Sequence, residues 1–113
     1  MANDLFGVHG KALALRSQRL GLLASNIANA STPGFKAKDI DFPAALAAAE
    51  RSGPSVAQAA TKYRVPFQSS LDGNTVELNT EQTKFAENAI AYQSTLSFLN
   101  GRIDTLKRAL KGE

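Results

Sequence analysis

From Phe85 to Leu110 the large apolar residues fall in an unbroken alternation of four and three: Phe85, Ala89, Tyr92, Leu96, Leu99, Ile103, Leu106 and Leu110. That spacing lays one narrow apolar stripe along a continuous helix, the seam of a coiled coil. Glu81, Lys84, Glu87, Asn88, Gln93, Arg102, Asp104, Lys107 and Arg108 fill the other positions and read as a solvated back. Asn79 or Thr80 is the expected N-cap, with Glu81 in the first turn where a negative charge is favoured. Lys107, Arg108 and Lys111, followed by Gly112, mark the end. About 31 residues at 1.5 Å rise make a rod of roughly 46 Å. A seam of that length needs another helix against it.

The other helix stands at the start of the chain. Asn3 or Asp4 can cap a helix running from Leu5 to about Asn29. Phe6, Leu13, Leu20 and Ile27 recur every seven residues, widened by Leu5, Ala12, Leu23 and Ala24. Val8, Leu15 and Leu22 recur with the same period but lie about 180° around the helix. A simple helical hairpin would leave the Val8, Leu15 and Leu22 face wet, so two opposed faces predict a helix covered by a neighbouring subunit on one side. Gly7, Gly10 and Gly21 each weaken it by up to about 1 kcal/mol relative to alanine. They read either as tolerated slack or as points of close approach by a neighbouring backbone.

Between the two helices the punctuation is dense. Pro33 and Gly34 fit the central positions of a type II turn, and Thr32, preceding proline, is pushed out of the helical region. Asn26 and Asn29 lie in the last turn, where amides can bind freed carbonyls or a neighbouring chain. Asp39 to Gly53 predicts a short helix, with Asp41 as N-cap and Ser52-Gly53-Pro54 as its stop. Ser55 to Thr61 reads as a linker. Tyr63, Val65 and Phe67 alternate as an extended segment, and Asp72-Gly73 is a turn signal with Val76 and Leu78 behind it. An extended loop packed along the helices is favoured there over a two-stranded hairpin. The whole predicts an all-α fold, with long terminal helices paired as a coiled coil and a short helix and extended loop between them. One rod-like unit covers 1–113, divided into 1–34, 35–79 and 80–113.

Composition acts mainly by exclusion. With 113 residues the chain makes at most one small domain, and 13 Lys and Arg against 10 Asp and Glu give a mild net charge of +3. The bases are dispersed, without the aromatic-interleaved stripe of a nucleic-acid surface. The chain has no cysteine and one histidine, His9, so neither a metal set nor a catalytic triad can be assembled and no cofactor is expected. No apolar run approaches the ~18 residues of a membrane span, and no cleaved signal peptide is recognisable.

Two stretches carry a resemblance. Residues 25–42, SNIANASTPGFKAKDIDF, resemble the N-terminal signature of the flagellar rod and hook family of axial proteins, and the DIDF ending is similar to its proximal rod members. Residues 63–93, YRVPFQSSLDGNTVELNTEQTKFAENAIAYQ, resemble the matching C-terminal region. Phe35 stands where the family commonly has tyrosine, and the linker before Lys62 is short. The resemblance implies a non-enzymatic subunit of the basal-body rod, whose terminal helices pair and stack into a hollow shaft that transmits torque, needed for motility. It implies partners among other rod proteins and copies of itself, near the membrane ring and export gate, and passage to the periplasm through the flagellar type III apparatus. The candidate assembly residues are the two heptad sets together with Val8, Leu15, Leu22, Asn26, Asn29, Pro33, Gly34 and Phe35. No nucleic-acid partner and no direct lipid binding are expected. Two rival classes, a membrane-surface protein and a DNA-binding helical hairpin, would be separated by liposome flotation and by salt-dependent retention on DNA.

Overall fold

The structure, a computed structural model, describes residues 7–52, 61–66 and 70–112. Among them are three helices, α1 (Gly7–Ala28), α2 (Phe42–Ser52) and α3 (Leu78–Lys111), and two short strands, β1 (Lys38–Ile40) and β2 (Thr61–Tyr63). The long terminal helices pack on one another, and the molecule measures 64 × 26 × 18 Å. The helices run antiparallel: Asn26 meets Glu81, Arg16 meets Asn88, and the His9 ring lies 4.4 Å from that of Phe98. The all-α architecture with paired terminal helices is therefore present, with a small two-stranded ribbon added to it.

The helix ends follow local chemistry. At α3 the chain becomes helical at Leu78, two or three residues earlier than a cap at Asn79 or Thr80 allows; Glu77 occupies the N-cap position with extended backbone and no side-chain cap. Gly112 ends α3 in the left-handed conformation (φ 75°), its N–H donating to the Ala109 carbonyl at 3.3 Å, as the terminal Gly signal predicts. Asp41 caps α2 by accepting the Ala44 N–H on Oδ1 at 3.4 Å. The expected capping residues Asn3 and Asp4, together with Leu5 and Phe6, lie outside the described residues.

Around α1 the packing differs from the two opposed faces of the sequence pattern. The buried stripe runs through Ala12, Leu15, Leu23 and Asn26, a path that lies between the two heptad sets. Leu15 is fully buried in a cluster with Ile40, Ala45 and Ala49, flanked by Leu22, Phe42 and Leu46. The Leu15 and Leu22 side is thus covered from within the chain by α2 and β1, whose alanines let the helices approach closely. Arg16 also serves this junction, its guanidinium 4.3 Å above the Phe42 ring. Only Val8, 37% exposed, remains open on that side.

The middle segment pairs in an unforeseen way. β1 and β2 are antiparallel, with Lys38 opposite Tyr63, Asp39 opposite Lys62 and Ile40 opposite Thr61. No hairpin joins 63–66 to 76–78 among the described residues; the Phe67 position lies outside them. Instead 70–75 packs as a loop against the turn after α1, with Gly34 N–H donating to Asp72 O at 2.8 Å and Thr75 N–H to Phe35 O at 2.9 Å.

Candidate assembly interface and its polar lock

Glu81 sits one turn into α3 on the face turned toward α1, and it is fully buried. One carboxylate oxygen accepts the Asn26 amide at 3.0 Å, and the other accepts the Arg64 guanidinium. Arg64 also donates to Asp39, which takes both donors of the Arg19 fork at 2.8 and 2.9 Å. Asn26 completes the set by pairing with the Lys38 backbone in both directions, donating to its carbonyl at 2.7 Å and accepting its N–H at 3.1 Å. Two carboxylates and two guanidiniums cancel in charge; Glu81, Asp39 and Arg64 each meet two side-chain partners, and Arg19 binds both oxygens of Asp39.

Buried charges are unfavourable unless paired and hydrogen-bonded. Burial alone would push the Asp39 carboxyl up, but the Arg19 hydrogen bonds and charge, the Ile40 N–H and the Arg64 charge outweigh it and hold the carboxyl below the usual carboxylate range. The same hydrogen bond to Asp39 raises Arg19 above its ordinary value despite its own burial. These groups come from α1, β1, the segment after β2, and α3. They can meet in only one alignment of those elements, so the set fixes the helical pair in register and ties the middle segment to it. Asn88, two turns on, extends the polar facing by donating to the Arg16 carbonyl at 2.9 Å. The sequence pattern placed Glu81 and Asn88 on a solvated back; both are buried, and they carry the N-terminal half of the α3 face that meets α1.

The turn after α1 is closed by Asn74, which no periodicity singles out. Its amide donates to the carbonyls of Asn29, Ala30 and Thr32 at 2.9, 3.1 and 2.7 Å, gathering the carbonyls of the turn that follows the helix. Asn29 itself donates to Ser25 O at 2.8 Å, a carbonyl that also accepts the Asn29 backbone N–H at 3.1 Å. The turn over Thr32–Phe35 closes with the Phe35 N–H on Thr32 O at 3.2 Å and Gly34 at φ +75°, as Pro33-Gly34 predicts. Pro33 and Gly34 are exposed, Asn29 and Phe35 half-buried. Asn26 differs: its amide is engaged entirely within the chain.

Toward the other end the facing surface turns apolar. Phe85, Ala89, Tyr92, Leu96 and Ile103 are half-buried, Leu99 is buried, and Leu13, Leu20 and Ile27 of α1 are half-buried beside them. Leu106 and Leu110 are exposed, Leu110 to 89%. The seam is thus closed at Leu99, half-covered at Ile103 and open from Leu106 onward.

An antiparallel pair of terminal helices with the SNIANASTPGF turn at one end can be compared with known proteins. A family model described as flagella basal body rod protein matches residues 6–36. A flagellar basal body rod protein FlgB of Cereibacter sphaeroides is 49% identical over 97% of this chain and 96% of its own length. The chain belongs to the flagellar basal body rod protein family. FlgB proteins of Aeromonas hydrophila (44% identical, 96% of this chain and 93% of the relative) and Escherichia coli (42%, 89% and 88%) are similar along nearly their whole length. The family is one of structural rod proteins rather than enzymes, and membership supports association with other components of the flagellar rod. Among the described residues no helix is long and apolar enough to cross a membrane.

Proposed function

We propose that this rod-family subunit builds the proximal rod of the flagellar basal body, polymerising through its terminal helices with copies of itself and other rod proteins into a hollow, torque-transmitting shaft. The observation that carries the reading is the paired α1 and α3, locked in register at the Glu81 end while the apolar seam past Leu99 stays uncovered. A subunit of a polymer needs both: a part that holds its own shape and a part whose burial waits for a neighbour. Its working place is the periplasmic rod near the membrane ring, reached through the flagellar type III apparatus. The subunit acts as a single unit over 1–113, with no lipid or nucleic-acid ligand. Deleting the coding sequence and restoring it on a plasmid tests the reading. Non-motile cells whose basal bodies lack a rod, with motility restored on complementation, are the expected result; complete rods in the deletion strain would refute it.

A further inference from the structure

Asn100–Gly101 is the one Asn–Gly step in the chain, and it stands immediately after Leu99, the last buried residue of α3. Both residues are exposed. The Asn100 amide makes no hydrogen bond to another described residue. A Cβ on Gly101 would meet nothing within 4 Å, so packing inside the chain gives no reason for a glycine there. Glycine weakens a helix interior by about 1 kcal/mol relative to alanine, and asparagine is also a poor helix former. Four residues on, the Thr105 hydroxyl donates to the Gly101 carbonyl at 3.0 Å, a back-bond that slightly weakens a helix. From Arg102 to Lys111 only Ile103 is even half-buried. Isolated helices shorter than about 12–15 residues are marginal in water, and the stretch from Asn100 to Lys111 is no longer than that. The helix is therefore weakest at this step, and what lies beyond has little tertiary cover to keep it wound.

The chemistry of the step gives that weakness a consequence. An asparagine side chain can be attacked at Cγ by the backbone nitrogen of the following residue. Glycine in that place leaves the nitrogen unhindered and lets the backbone bend. While α3 is wound, the Gly101 N–H is bound to the carbonyl four residues back, so ring closure waits for local opening. Once open, the Gly101 nitrogen bonds to Asn100 Cγ and gives its proton to solvent. The Cγ–Nδ2 bond breaks and, with a proton from solvent, the amide nitrogen leaves as ammonia. Water then opens the cyclic imide. Opening at Cγ leaves aspartate in an ordinary main chain; opening at the Asn100 backbone carbonyl leaves isoaspartate, with the main chain rerouted through Cβ. The net change is asparagine plus water to aspartate or isoaspartate plus ammonia, with nothing oxidised or reduced.

We propose that Asn100 is a site of spontaneous deamidation, exposed by opening of the uncovered end of α3 and closed when a neighbouring subunit covers that end. Isoaspartate adds a backbone carbon that an α-helix does not accommodate, so it breaks α3 after Leu99 and detaches Leu106 and Leu110 from the stripe. The aspartate product sets a new negative charge four residues before Asp104, a repulsive spacing on a helix. Either product marks a subunit that has stayed outside the assembly. Closure by a neighbour rests on the rod reading; the reactivity of the free chain does not.

The free full-length chain is incubated at mildly alkaline pH and mapped by peptide mass spectrometry, which reads the gain in mass when NH2 is replaced by OH. Asn100 should convert well ahead of Asn79, which is also exposed on α3 but is followed by threonine. Gly101→Ala should suppress the conversion, since the added methyl has room, hinders the nitrogen and firms the helix. Leu99→Ala loosens the last buried contact and should speed the conversion several-fold in buffer. In concentrated urea, where no helix remains, it should match wild type. In purified basal bodies held under the same conditions Asn100 should stay intact. Conversion of Asn100 no faster than that of Asn79, or a rate in buffer indifferent to Leu99→Ala, would overturn the proposal in the free chain. Equal conversion in rods and in the free chain would overturn closure by a neighbour. Absence of the chain from basal bodies would overturn the rod reading, and closure with it, while the free-chain rates still judge the site.

Discussion

The two ends of the α1–α3 pair are built on opposite plans. Near the α1 C-terminus the residues are polar and mutually bonded: Asn26 and Glu81 are buried, with Arg64, Asp39 and Arg19 half-buried around them. Past Leu99 they are apolar and exposed, with Leu106 and Leu110 open to solvent. Ordinary expectation runs the other way, with apolar residues inside and charges outside. The inversion has a physical sense. A polar network satisfies few geometries, so it fixes one alignment within the chain, whereas an apolar stripe accepts any complementary surface and suits contact with a neighbour. The locked end gives the subunit its shape; the open end is where further burial remains to be gained.

The sharpest way to break this contrast is at the lock. Glu81→Leu leaves the Arg64 guanidinium and the Asn26 amide without their buried acceptor and should destabilise the free chain by about 3–5 kcal/mol, read by urea unfolding. Adding Arg64→Leu to it should recover part of that loss, because the unpaired charge is then gone. If the double variant is no more stable than the single, the network is not acting as one unit. At the point where the seam closes, Leu99→Ala should remove about 2–3 kcal/mol through lost burial and a residual cavity. The same truncation at Leu110 should change free-chain stability by less than about 0.5 kcal/mol while reducing recovery in basal bodies. Equal effects of the two truncations on the free chain would erase the distinction between the ends.

Smaller effects sharpen the comparison from within the lock. Asn26→Ala removes the two-way pairing with Lys38 and one bond to Glu81, and about 1–2 kcal/mol of stability should go with it. Acid should loosen this end selectively. The folded-state pKa of Asp39 is depressed, so its contribution is complete above the ordinary carboxylate value near pH 4 and is lost as pH falls through that region and below. The wild-type melting temperature should therefore drop between pH 5 and pH 3, and an Asp39→Asn chain, less stable at pH 5, should show a shallower drop.

Much of the fold was legible because it is written in apolar periodicity and turn chemistry. The long helices, the Asp41 cap, the Pro33-Gly34 turn and the Gly112 stop all follow from local rules. The lock was not legible, for a specific reason. Periodicity marks where apolar residues stand, so Glu81 and Asn88 at facing positions look the same as solvated residues. Glu81 is buried against Asn26 and Arg64, and Asn88 against the Arg16 carbonyl, partners that lie far from them along the chain and are brought there only by the fold. Three-residue strands such as β1 and β2 are too short for alternation to announce them, and Asn74 works through its amide alone. The opposed face of α1 misled for the converse reason: Leu15 is apolar on schedule, but its cover is α2, an alanine-rich helix of the same chain.

Amide hydrogen exchange, measured on the free full-length chain and on the chain within purified rods, tests the contrast most directly. Local opening is governed by how well each segment is buried and bonded. In the free chain, amides of 15–28 and 80–96 should exchange slowly and those of 102–111 quickly; in the rod both sets should be slow. A free chain in which 102–111 is as protected as 80–96 would contradict the account, since the end of α3 would then need no neighbour to hold it.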